Sequence, residues 1–334
     1  MKKFSILDLV RIKEGGTPRQ ALDESRDLAQ HVEKLGFERI WVAEHHNFTG
    51  IASAATSVVI AHLAAATEKI RVGAGGIMLP NHSPMVIAEQ FGTLAHLFPG
   101  RIDLGLGRAP GTDPMTVQAL RRGPNAAERF PQDVLELQGY LSPEAAEKPV
   151  QAVPAAGTEV PLWILGSSQF GATLAAELGL PYGFASHFAP QQLLPALEIY
   201  RSRFKPSKQL EKPWAMVGVN IIAAETDEEA KFLATTQQMS FADLFRRVRS
   251  LTRPPISDID SYWTPLEKAH ASQMLARSIV GSPETVRAGI EALLEETKAD
   301  ELIIVSDVFD HGKRLRSLEM IADCFTKIEV KSER

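Results

Sequence analysis

The sequence predicts an α/β fold: a (β/α)8 TIM barrel, read as a single domain over residues 1–334, with insertions after strand 4 and before the last βα unit. Three observations lead there. Eight short apolar runs alternate with segments of helical length, and most connections are short enough for parallel strands. Polar, glycine and titratable residues collect at the carboxyl ends of those runs, where barrels carry their chemistry. No repeat of fixed short period interrupts the alternation. An open doubly wound sheet is the competing arrangement.

Taken in order, Phe4 to Val10 reads as the first strand, with Asp8 near its carboxyl end. Thr17-Pro18 starts a helix, threonine as cap and proline in the first turn, and Gly36 ends it. Arg39 to Ala43 is the second strand and runs into Glu44-His45-His46. Ser53 to Thr67 is an alanine-rich helix, and Ile70 to Ala74 is the third strand. After Pro84 a helix runs to Phe98, stopped by Pro99-Gly100, and Ile102 to Leu106 is the fourth strand. The rhythm breaks over Gly111 to Pro131, resumes with a helix near Gln132 to Tyr140, and breaks again over Ser142 to Val160. Pro161 to Leu165, Tyr182 to Ala185 and Ala215 to Ala223 are strands five to seven. Gly166-Ser167-Ser168 opens a helix that ends at Gly179, and Pro190 to Arg203 is helical. Thr226 precedes a helix with an acidic first turn, Asp227-Glu228-Glu229. Ser250 to His270, rich in proline and aromatics, is a second excursion. Ser282-Pro283 opens another helix, Glu301 to Val305 is the eighth strand, and Leu315 to Phe325 lies in the last helix.

Composition narrows the function. Hydrophobic residues make up 44% of 334, enough for a sizeable core. A net charge of −5, from 36 basic and 41 acidic residues, argues against a nucleic-acid-binding surface. Cys324 is the only cysteine, which leaves no internal disulfide and no zinc ribbon. The first apolar run is broken by Asp8 and Arg11 and reads as a strand, not a signal peptide. No stretch has the length of a membrane span. The expectation is a soluble, cytoplasmic protein.

The strand ends carry the candidate site. Adjacent strand residues point to opposite faces, so His45 and His46 do not easily hold one ion, and no metal is expected there. An imidazole at a barrel mouth is a usable proton donor or acceptor near neutral pH. Gly105-Leu106-Gly107-Arg108 resembles a dinucleotide loop only superficially, because Arg108 and Pro110 interrupt the spacing and no helix follows at once. Gly166-Ser167-Ser168 joins a strand to a helix amino terminus, either as a plain serine cap or, with Arg108 across the same mouth, as a phosphate site. Gly75-Gly76 lets a flat ring lie against the backbone. Met78, Phe48, Phe188 and Phe309 are candidates for an apolar pocket, together with Asp8, His46 and His187 at strand ends.

Three segments carry a resemblance: VAEHHNFTGIASAATSVVIAHLAAAT, IRVGAGGIMLPNHSPMVIAEQFGTLAHLFPGRIDLGLGRAPG and LWILGSSQFGATLAAELGLPYGFASHFAP, with KADELIIVSDVFDH near the end. With these the chain resembles the bacterial-luciferase-like flavin monooxygenases, in their uncharacterised bacterial oxidoreductase branch. The resemblance implies a barrel that binds FMN, reduced by a separate flavin reductase, and uses oxygen to oxidise a small organic substrate. His45 matches the family's catalytic histidine. Gly75-Gly76 matches a non-prolyl cis peptide behind the flavin ring. Arg108 and Ser167 match flavin-phosphate contacts, with Gly166 and Ser168 beside them. Gly166 and Gly107 depart from the luciferase subunit's glutamate and cysteine, so light emission is not expected. A homodimer is implied, and the excursions at 111–131 and 250–270 are expected to form lids. Two alternatives remain: a deazaflavin-dependent hydride transfer, with Arg121-Arg122 holding a longer cofactor tail, and a flavin-binding protein without turnover.

Overall fold

The structure, a computed structural model, describes residues 2–123 and 125–332. Its strands are β1 (Lys3–Asp8), β2 (Arg39–Val42), β3 (Arg71–Met78), β4 (Ile102–Gly107), β5 (Leu162–Gly166), β6 (Tyr182–Phe184), β7 (Ala215–Ala223), β8 (Ile279–Gly281) and β9 (Glu301–Val305). β1 to β7 pair in sequence order and β9 closes the circle between β7 and β1, all parallel. The closed eight-stranded barrel is thereby borne out over the open sheet. The closing registers set Lys3 opposite Glu301 and Tyr182 opposite Ala215.

The helices are α1 (Pro18–Lys34), α2 (Thr56–Ala65), α3 (Pro84–Leu97), α4 (Pro114–Ala119), α5 (Phe130–Leu141), α6 (Gln169–Leu178), α7 (Leu193–Arg203), α8 (Asp227–Arg246), α9 (Pro265–Met274), α10 (Pro283–Thr297) and α11 (His311–Ser332). Local chemistry sets their ends. Thr17 and Gln20 form a reciprocal capping box on α1. Gly179 ends α6 in the left-handed region, at φ 63°, where a side chain would be strained. None of the helices, among the described residues, is long and apolar enough to cross a membrane.

Strand alternation divides the core in two. Ile6, Ile40, Val72, Leu104, Ile164, Val217 and Ile304 face outward and are covered by helices. Each such side chain contributes about 1.5–3 kcal/mol by leaving water. Leu7, Trp41, Trp163, Met216 and Ile303 fill the barrel, with Trp41 and Trp163 edge to face at 5.1 Å. Towards the amino ends of the strands, Arg39 bonds Asp103 at 2.6 Å and Glu301 at 2.7 Å, so the interior is stoppered by paired charges. The carboxyl end is left open.

Four elements differ from the sequence reading, the first being α4, a short helix inside the first excursion, capped by Asp113. β8 is additional: three residues that pair with the far end of β7, Ile221 to Ala223. α9 begins inside the second excursion and runs past His270 to Met274, capped by Thr264 and Glu267. β3 continues past Ala74 to Met78, so Gly75 and Gly76 are within the strand and not beyond it.

Candidate active site

A cavity of about 500 Å³ opens at the carboxyl ends of the barrel strands. β2 delivers His45, β3 delivers Gly75, Gly76 and Met78, and β4 delivers Gly107 and Arg108. β5 and the start of α6 bring Gly166, Ser167, Ser168 and Phe170, and the segment after β6 brings His187 and Phe188. Residues far apart in sequence meet there because parallel strands end at one level.

The glycines are fixed by space. A Cβ on Gly75 would stand 2.7 Å from Leu7 Cδ1, and one on Gly76 would stand 2.6 Å from the Gly105 carbonyl oxygen. The Gly76 contact is with backbone and far inside contact distance, so only glycine fits there, whereas the Leu7 tip at Gly75 could shift. The Gly75–Gly76 peptide is cis, as the resemblance implied.

Arg108 is exposed at the mouth. Its guanidinium lies 4.0 Å from the centre of the Phe170 ring, and it has no carboxylate partner among the described residues. Ser168 stands at the N-cap of α6, but its side chain makes no capping bond, and its carbonyl accepts from Tyr182 Oη at 3.1 Å. The plain-cap reading of this serine therefore fails. The amino-terminal N–H groups of α6 and the positive end of its dipole face the mouth without a capping side chain.

His45 sits edge-on to Phe48, centroids 5.6 Å apart, and its Nδ1 is buried without a partner. Burial, reinforced by the nearby Arg11 guanidinium, pulls its pKa down to about 4, so the ring is neutral at pH 7. His187 behaves alike: burial carries it to about 4 against the pull of Asp307, and its Nδ1 also lacks a partner. Arg11 and Asp307 form an ion pair at 2.8 Å. The arginine works on His45 and the aspartate on His187.

Three expected pocket residues, Asp8, His46 and Phe309, do not line the cavity. Asp8 turns away to Ser25 Oγ at 2.5 Å and Arg314 at 3.0 Å; burial raises its pKa, but these partners outweigh it and hold the carboxyl below its ordinary value. His46 donates from Nε2 to Glu44 at 2.6 Å and does not line the cavity, whereas His45, in the same segment just past β2, does. Glu44 also binds His82 Nε2 at 2.8 Å and the Met78 amide at 3.0 Å. Burial would raise this carboxylate, but the two imidazoles and the amide carry it down to about 2. Glu44, His46 and His82 have metal-ligand chemistry and lie within 4.8 Å of one another, a set the sequence reading did not assemble. Their 2.6 and 2.8 Å contacts are those of a hydrogen-bonded knot that fixes the ends of β2 and β3. Phe309 lies outside the cavity lining, 5.8 Å from the Lys13 ammonium. Arg121 and Arg122 lie outside it too, and Arg122 donates to the Asn81 carbonyl at 2.9 Å.

The two excursions meet over the mouth. Gly111 and Phe130 line the cavity from one side, Ser250 and Thr252 from the other. Asp113 accepts from Arg249 at 2.6 Å, from Thr116 Oγ1 at 2.7 Å and from Asn47 at 3.2 Å, joining the first excursion to the residue that precedes the second and to the segment after His45. Sequence reasoning missed Arg11, which follows β1, and Phe241, Leu244 and Val248, which also line the cavity. Phe241 and Leu244 recur at i and i+3 on α8, a helical spacing that was legible in principle, and Val248 follows the left-handed turn at Arg247 that ends the helix.

Comparison with known proteins agrees with this geometry. The model of the luciferase-like monooxygenase family matches residues 1–301. Protein YvbT of Bacillus subtilis, which has no assigned activity, and a luciferase-like monooxygenase of Escherichia coli K12 are each 52% identical over 321 residues, covering 96% of both chains. The crystal structure of apo-MsnO8 superposes with a TM-score of 0.87 at 34% identity, over 98% of this chain and 99% of that one.

Proposed function

This chain belongs to the luciferase-like monooxygenase family and is an oxidoreductase of that class; from that premise we propose that it binds FMN in the barrel mouth, receives it reduced from a separate flavin reductase, and oxidises a small organic substrate with O2. One observation carries the reading: an unpaired arginine, an uncapped helix amino terminus, a glycine wall and a neutral histidine all line one cavity.

The parts fit FMN. Its phosphate is an anion, and Arg108 with Ser167, Ser168 and the α6 amino terminus supplies a fixed cation, hydroxyls and free N–H donors. The Gly75–Gly76 backbone gives a flat floor for the ring, with Met78 beside it. Bound reduced flavin would supply the electrons that activate O2. Around it this chain excludes water with Phe48, Phe184, Phe188 and Phe241, and the excursions, over their described residues 111–123, 125–131 and 250–270, close the mouth as lids. His45, neutral and unpartnered at Nδ1, holds or moves a proton at the reacting end.

The test compares FMN with riboflavin, which lacks the phosphate, by fluorescence titration. FMN is expected to bind at least tenfold tighter, and Arg108→Ala to remove roughly 10- to 100-fold of FMN affinity while leaving riboflavin unchanged, as for a charge-assisted hydrogen bond of about 1.5–3 kcal/mol. Equal losses for both flavins would overturn the phosphate assignment. No binding of either would overturn the flavin reading.

A further inference from the structure

His187 is held with more care than a wall residue requires. Its carbonyl accepts from Asn220 Nδ2 at 2.5 Å, and Asn220 Oδ1 in turn accepts from Gln237 Nε2 at 2.9 Å; both amides are 2% exposed. The preceding Ser186 donates to the Gly218 carbonyl at 2.5 Å. The ring enters a space that exists because residue 218 is glycine. A Cβ there would stand 2.5 Å from His187 Nδ1 and 3.2 Å from its Cε1. The Nδ1–Cε1 edge therefore rests on Gly218, and the edge with Nε2 is turned away from it.

This packing selects a tautomer. Nδ1 is buried with no acceptor. Nδ1 goes without a partner in either tautomer, but a proton there would also have to fit between the ring and Gly218, whereas on Nε2 it is available to whatever fills the cavity. The ring is neutral at pH 7, burial outweighing Asp307. Phe48, Phe188, Phe241, Leu244 and Val248 give the same cavity an apolar wall, beside Arg11, Ser240, Ser250 and Thr252. No carboxylate is among the described lining residues. Of the two lining arginines, Arg11 is paired with Asp307 and Arg108 serves the phosphate in the reading above.

Resting on that reading, we propose that His187 anchors the substrate, donating a hydrogen bond from Nε2–H to an oxygen carried on an uncharged and otherwise apolar body. A carboxylate substrate would find no free cation beside this ring. A pure hydrocarbon would leave its donor unmet. A ketone or related oxygen-bearing apolar molecule satisfies both the donor and the aromatic wall.

The experiment uses FMN-loaded protein with ring-15N-labelled histidine, and the matched probes acetophenone and ethylbenzene. Flavin loading is read first, and the pair is also measured on the apoprotein, so the tautomer and the preference are decided whether or not flavin binds. A resonance of the neutral Nε2–H form, absent in His187→Phe, is expected at pH 7. Acetophenone should shift it and bind roughly tenfold tighter than ethylbenzene, the worth of one hydrogen bond. His187→Phe should erase the preference, and His187→Gln, which keeps an N–H donor, should retain most of it. An Nδ1–H tautomer, equal affinity for the two probes, binding of neither, or an unchanged preference in His187→Phe would overturn the proposal. Failure of FMN to load would instead count against the flavin reading.

Discussion

His45 and His187 make the stability of this protein depend on pH in a way that one substitution can expose. Both rings stay neutral in the folded chain down to about pH 4, against an ordinary value of 6.5. The causes are named: burial for both, then Arg11 for His45, with Asp307 opposing at His187. Because each folded pKa lies below its unfolded value, the unfolded chain takes up protons first as the pH falls. The stabilisation is complete above pH 6.5 and is lost progressively towards pH 4. Between pH 7 and pH 5 the linkage amounts to about 2 kcal/mol per ring at 1.36 kcal/mol per pH unit. Both rings reach a cavity open to solvent, which reduces this towards about 1 kcal/mol each. Glu44, whose pKa falls to about 2, loses its contribution only below its ordinary 4.5 and does not interfere. Urea unfolding should therefore show wild type losing about 2–4 kcal/mol from pH 7 to pH 5, and His187→Gln losing about half as much. Identical pH dependence for the two proteins, within about 0.5 kcal/mol, would refute the claim that His187 is held neutral by its surroundings.

Two further predictions address the wall and the lids. Gly76→Ala should cost about 1–3 kcal/mol in unfolding free energy and weaken FMN, because its Cβ would meet the Gly105 carbonyl at 2.6 Å and Leu165 Cδ1 at 2.7 Å; full stability with normal FMN affinity would show that the wall has slack. Asp113→Asn should loosen the junction with Arg249 and Asn47, speeding FMN release and proteolytic cleavage within 111–123 without altering the far-ultraviolet spectrum; unchanged release would remove these excursions from the lid role.

Much of the fold was legible because its signals are local. β7 and β9 fall where the apolar runs begin and end, and Thr17 and Gly179 mark helix ends by their chemistry. β8 was not legible, since three residues carry no periodicity and become a strand only by pairing with β7. α9 carried a readable signal, Thr264-Pro265 with Glu267, obscured by the prolines and aromatics before it. At the site, His45, Gly75, Gly76, Arg108, Ser167 and His187 could be named from strand ends, because barrel topology alone brings strand ends together. The Glu44 knot could not: His82 is 38 residues away from Glu44 and meets it only through the β2–β3 register. Arg11 was equally hidden. It follows a turn at Val10 with φ 49°, and its effect on His45 comes through space, not sequence.

The most direct test of the central claim is rapid mixing of the protein, loaded anaerobically with chemically reduced FMN, against oxygenated buffer, with flavin absorbance followed over time. The account predicts a flavin species, distinct from the reduced and oxidised forms, that persists far longer than with free FMN and shortens in His45→Ala while FMN binding survives. Direct return to oxidised flavin at the rate of free FMN, with the cofactor shown to be bound, would contradict it.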